Sequence, residues 1–247
     1  MTTKLNRFFA LSALISLAVV STASLADEHN SSSNSSGTLY VSESGTGAGE
    51  NLKLVLPIQE GSANYFTGSL NILTGSTVHN GSISNGTSFL AYCIDPFQRA
   101  SSSPVSYGVS GLDALGTSNA ADVSRLYSQS YAGTSGSSLN SAAFQLALWE
   151  LAKDDGKLTS GNVHTTKDTD SKVVALASSM ISNAKSGVAG PNQYSFNLYT
   201  SGKNQDYLVA SMSSVTPVPE PETYAMLLAG LGLIGFTANR RRGSRQA

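Results

Sequence analysis

SLNSAAFQLALWELAK, residues 138–153, decides the fold. It holds four alanines and four leucines and has neither glycine nor proline, so nothing along it opposes a helix. Asp154, Asp155 and Gly156 follow and end it, and the two aspartates read as a solvated helix end. Gln145 and Trp149 stand four residues apart and share one face; Phe144 and Leu148 form a second such pair on the adjacent stripe. A carboxamide on an apolar helix face needs a partner, because burying it unpaired is costly.

Working outward from this helix, a polar loop runs to residue 169. Asp170 then caps a helix over 171–185, with Val174, Ala177 and Ile181 on one face and Gly187 beyond its end. On the other side, Ser118 or Asn119 caps a helix over 120–131, in which Val123, Leu126 and Tyr127 repeat at helical spacing. The chain before it changes character. Short apolar or alternating segments at 39–41, 52–58, 65–73 and 88–94 are separated by turn-rich stretches at 45–51, 60–64 and 80–86. Asn80-Gly81 and Asn85-Gly86 favour turns, since both residue types tolerate positive φ. Two more short strands, 194–199 and 207–212, close the region. Strands, then helices, then strands predict an α+β domain over 38–212: a strand-rich barrel or sandwich with a helical insertion.

Both ends stand apart from this domain. Lys4 and Arg7 precede an apolar run at 8–20, and small residues follow, with Ser24 and Ala26 at the −3 and −1 positions. This is the pattern of a secretory signal peptide, 1–26, cleaved after Ala26. The alternative, a retained membrane helix, wants a run of about 20 apolar residues. Residues 27–37 include NSSSNSSG and form a flexible polar lead-in. After a linker at 213–218, residues 219–247 bring Pro219, Glu220 and Pro221, then an apolar stretch at 224–238, then Arg240, Arg241 and Arg242.

Residues 27–218 carry nine basic and fourteen acidic side chains, a mildly acidic balance that argues against a nucleic-acid partner. No metal-ligand cluster, phosphate loop or nucleotide fingerprint appears, and no cofactor is expected. The single cysteine, Cys93, excludes an intramolecular disulfide; in an exported chain it is reactive, paired between molecules, or buried.

Cys93 lies in FLAYCIDPF, residues 89–97, where Asp95 starts a turn at Pro96. Tyr92-Cys93 together with Phe144-Gln145-Leu146-Ala147-Leu148-Trp149 resembles the signature of the thioester domains of bacterial surface adhesins: an aromatic-Cys pair, and an apolar-Gln-x-x-apolar-Trp string. The resemblance implies a β domain with a helical subdomain, in which the Gln145 side chain acylates the Cys93 sulfur with loss of ammonia. Trp149 and Tyr92 would cover the bond, or the Tyr92 hydroxyl would orient its carbonyl. Such adhesins are typically Gram-positive and wall-anchored, whereas this tail resembles the PEP-CTERM sorting signal of Gram-negative bacteria. That second resemblance implies processing near Pro219-Glu220-Pro221 by an exosortase, with the apolar stretch in the membrane transiently and the arginines on its cytoplasmic side.

Three readings follow. The first is an exported, non-enzymatic surface or matrix protein that attaches covalently to an amine or hydroxyl on a partner. The second is a structural exopolysaccharide- or biofilm-associated protein without the bond. The third is a cysteine hydrolase, which would need His29, His79 or His164 as base; His29 falls in the polar lead-in and the other two fall in loops.

Overall fold

The computed structural model describes residues 38–188 and 193–213, together with 226, 228–231 and 234. The signal-peptide site at Ala26, the lead-in, most of the linker, and Pro219, Glu220, Pro221, Arg240, Arg241 and Arg242 lie outside the described residues.

The strands are β1 (Leu39–Val55), β2 (Ser62–Gly75), β3 (Val78–His79), β4 (Ser82–Ile83), β5 (Thr87–Cys93), β6 (Val105–Ser110), β7 (His164–Thr165), β8 (Tyr194–Thr200) and β9 (Tyr207–Met212). Their order is β2-β5-β9-β8-β6-β1-β7, and β1 also pairs with β2. Six antiparallel strands therefore close into a ring, a barrel rather than a sandwich, with β7 attached beside the far end of β1.

The stretch 45–51 is not the expected turn. β1 runs straight through it, paired with β2, and absorbs the extra residues as bulges between Glu43 and Gly45 and between Thr46 and Gly49. Glycine is required here by proximity. A Cβ on Gly68 would lie 2.3 Å from the Ala48 carbonyl oxygen and 2.5 Å from the Gly49 Cα. β6 has no counterpart among the expected strands. The turn at Asn80-Gly81 joins β3 to β4 with φ of 49° and 75°.

The helices α1 (Thr117–Ser130), α2 (Ser138–Lys153) and α3 (Ser171–Lys185) lie in sequence between β6 and β8. α1 starts earlier than expected, after Gly116, with no side-chain cap. Asn119 instead reaches the other end of α2, its Nδ2 donating to the Ala152 carbonyl at 3.0 Å. α2 is capped by Ser137, whose hydroxyl accepts from the Asn140 N–H, and α3 by Asp170, which accepts from the Lys172 and Val173 N–H groups. α2 packs on β1 and β2 and is flanked by α1 and α3. Every residue from Ser141 to Ala152 is buried, which is why its sequence is apolar around the whole helix. Tyr92, Tyr127, Tyr131, Phe144, Tyr194 and Phe196 form an aromatic cluster between helices and barrel.

Asp154 and Asp155 do more than end α2. The Asp154 carboxylate accepts from the Val163 N–H at 2.6 Å, and that of Asp155 accepts from the Lys157 N–H and the Ser160 hydroxyl, so both brace the following loop. Met226, 228–231 and Ile234 are helical. No helix among the described residues is long and apolar enough to cross a membrane.

Candidate functional site

The site sits where the barrel ladder is interrupted. β2 pairs with β5 from Thr74↔Thr87 as far as Ser69↔Tyr92 and no further, while its pairing with β1 continues to Ser62↔Val55. Cys93, the next residue of β5, keeps β9 on one side through Tyr207. On the other side the Gln145 carboxamide takes the place of a strand. The Cys93 N–H donates to Gln145 Oε1 at 2.9 Å, and Gln145 Nε2 donates to the Cys93 carbonyl at 2.6 Å. The buried glutamine is thereby satisfied, and so are two backbone groups that the barrel leaves open.

One turn earlier on the same helix face, Ser141 fills the neighbouring opening. Its hydroxyl accepts from the Ser69 N–H at 3.2 Å and donates to the Ala48 carbonyl at 2.6 Å. Its single proton is thus used, so the Tyr92 hydroxyl, 2.7 Å away, is the donor of that pair. Tyr92 therefore spends its hydroxyl on Ser141 and does not orient the Gln145 carbonyl. Its ring, 4.7 Å from that of Phe144, belongs to the aromatic cluster, and Leu148 is a fully buried core residue.

Trp149 does lie beside the sulfur. A cavity of about 190 Å³ is lined by Glu43, Phe66, Leu70, Cys93, Gln145 and Trp149, among others. A smaller one of about 100 Å³, with Tyr65, Gln98 and Leu56 in its wall, shares Cys93 and Trp149 but does not reach Gln145. The Cys93 thiol donates to the Asp95 carbonyl at 3.3 Å. Burial pushes this thiol up to about 12, while the Trp149 and Gln205 side chains and the Asp95 carbonyl pull the other way. Asp95 forms the expected turn, its carboxylate accepting from the Phe97 N–H and the Gln98 amide. His79 and His164 stand in β3 and β7 and line neither cavity. Among the described residues no cluster of three metal-ligating side chains occurs.

Sequence reasoning missed Ser141, Glu43 and Gln205. Ser141 had a signal, four residues before Gln145 on the same face. Glu43 and Gln205 are brought in by barrel closure and had none.

Residues 217–242 match the PEP-CTERM protein-sorting motif. The chain carries the sorting motif of an exported surface protein. The N-terminal domain of the Streptococcus pyogenes pilus tip adhesin Cpa is similar in structure, at 12% identity and a TM-score of 0.42, covering 72% of this chain and 95% of that one. The N-terminal thioester domain of a surface protein from Clostridium perfringens is similar at 17% identity and a TM-score of 0.39, covering 66% and 100%. No curated protein matches.

Proposed function

We propose that this protein is an exosortase-processed surface or extracellular-matrix protein of a Gram-negative bacterium, attached to its partner through a thioester between Cys93 and Gln145. The observation that carries the reading is the doubly hydrogen-bonded Gln145 carboxamide on the backbone of Cys93 itself. It puts the acyl carbon beside the sulfur's own residue. The Cys93 N–H lies on the oxygen that gains charge when sulfur attacks, the placement an oxyanion donor requires. The sulfur forms the new bond to the Gln145 carbonyl carbon, the C–N bond breaks, and the thiol proton leaves with the nitrogen as ammonia. Burial then keeps water from the product. An amine or hydroxyl on a partner takes the acyl group and releases the thiol.

One observation favours a second reading, a structural matrix protein without the bond. The thiol is deeply buried and strongly protonated, and a purely structural glutamine would satisfy the same two backbone groups. Intact mass on the purified chain separates the two. The first reading expects a wild type lighter than its sequence by one ammonia, with Cys93→Ala and Gln145→Ala both at full mass. A full-mass wild type with a titratable thiol sinks it. Hydrolytic turnover lost in Cys93→Ala but kept in Gln145→Ala would instead indicate a cysteine hydrolase.

A further inference from the structure

We propose that Glu43 is the proton-transfer residue for attack on the Cys93–Gln145 linkage, taking the proton of a primary amine that enters through the cavity Glu43 shares with those two residues. This rests on the thioester reading above and assigns a role to a side chain outside its motif.

The assignment starts from β1. The bulge between Glu43 and Gly45 interrupts the alternation of the strand, and bulges re-aim side chains. The Glu43 N–H is tied to the Ser101 carbonyl at 2.8 Å, which fixes the backbone at that point. The side chain lines the 190 Å³ cavity, where the other walls are neutral and partly apolar: Phe66, Leu70 and Trp149 beside Cys93 and Gln145. Among the described residues Glu43 is thus the one carboxylate in that wall. Among the described residues it enters neither a side-chain hydrogen bond nor an ion pair. A half-buried carboxylate with no partner, lining the same cavity as Cys93 and Gln145, is free to receive an incoming donor. Of these two cavities, the one that reaches Gln145 is the one Glu43 lines.

The chemistry asks for such a group. As the amine nitrogen bonds to the Gln145 acyl carbon, the C–S bond breaks. The proton lost by nitrogen passes to the Glu43 carboxylate and from there to the departing sulfur. An amide and a thiol form and the carboxylate is regenerated; an amine arriving as ammonium first gives one proton to solvent, since only the free amine attacks. Burial makes Cys93 a poor leaving group as bare thiolate, so a proton delivered at departure counts for much. Burial also raises Glu43 above its usual range, toward the pH at which it accepts and returns a proton readily. The titratable neighbours that sense both Glu43 and Cys93 are Tyr107 and Tyr207, each held neutral by its own burial.

The test uses the full chain and two probes. Methylamine must lose a proton on attack; methoxyamine, once bonded, is acidic enough to lose its proton to water. With wild type and Glu43→Gln both showing the ammonia deficit, we expect Glu43→Gln to slow methylamine adduct formation at least about tenfold and methoxyamine less than about twofold. Glu43→Asp, which keeps the carboxylate, should stay within about threefold of wild type for methylamine. Equal slowing of both probes, an unchanged methylamine rate, or Glu43→Asp as slow as Glu43→Gln overturns the assignment. So does a full-mass Glu43→Gln beside a mass-deficient wild type, which would place Glu43 in bond formation instead. A full-mass wild type overturns the thioester itself.

Discussion

Ser141 shows how much one side chain carries at the residue scale. Its hydroxyl serves two donors, the Ser69 N–H and the Tyr92 hydroxyl, and one acceptor, the Ala48 carbonyl. Ser141→Ala leaves the Ser69 N–H and the Tyr92 hydroxyl without that partner, while the Ala48 carbonyl keeps the Ser69 hydroxyl at 3.1 Å. Leaving buried donors unsatisfied costs about 1–3 kcal/mol per group, so for the two groups a loss of about 2–6 kcal/mol is expected in urea unfolding. Gln145 and Cys93 keep their own hydrogen bonds in this variant, so on the proposed reading it shows the same ammonia deficit as wild type. A Ser141→Ala protein of wild-type stability would show that the hub contributes nothing net. Tyr92→Phe removes one member only, and its loss should be the smaller.

At the scale of elements, the C-terminal end of α2 holds an unusual group. Glu150 is fully buried, with one oxygen accepting from the Lys157 N–H at 2.9 Å and the other without a partner. Burial, with Asp154 and Asp155 nearby, pushes its carboxyl up to about 8. The unfolded chain ionises this group near 4.5, so between about 4.5 and 8 the folded state binds more protons than the unfolded one. Stability contributed here is complete below the lower value and falls as pH rises to the upper one, by at most about 1.4 kcal/mol per pH unit. Glu43 and Asp206, also raised by burial, act in the same direction. The decisive measurement is therefore the difference between wild type and Glu150→Gln in urea midpoint across pH 5–9. The variant should lose much of the decline, and parallel curves would refute the assignment. Sequence alone shows α2 and α3 with their ends because caps and composition are local signals, as at Asp170 and along residues 138–153. It misreads 45–51 because glycines that permit a bulge look like glycines that permit a turn, and only the pairing of Gly49 with Gly68 tells them apart. It shows Cys93, Gln145 and Trp149 as a pattern. It cannot show that Tyr92 is committed to Ser141, since that depends on the β1 bulge between Thr46 and Gly49, where Ser141 bridges Ala48 and Ser69.

At the scale of the whole molecule, the sorting motif and the candidate site lie in distant parts of the chain. The PEP-CTERM match spans 217–242, beyond the last barrel strand, whereas Cys93 and Gln145 lie inside the barrel and its helices. On the proposed reading the two act in order: the tail brings the protein to the exosortase and is cut, and the thioester then supplies the hold that the tail no longer gives. The two steps should fail separately. In an exosortase-bearing host, replacing Pro219, Glu220 and Pro221 with alanine should leave an uncut chain in the membrane fraction with its ammonia deficit intact. Cys93→Ala should be cut as in wild type yet be released by a denaturing wash, while wild type stays in a high-mass, wash-resistant form. The wash matters because only a covalent link survives loss of the fold. If Cys93→Ala resists it as well as wild type does, retention belongs to some other part of the surface, and the thioester is not what holds the protein in place.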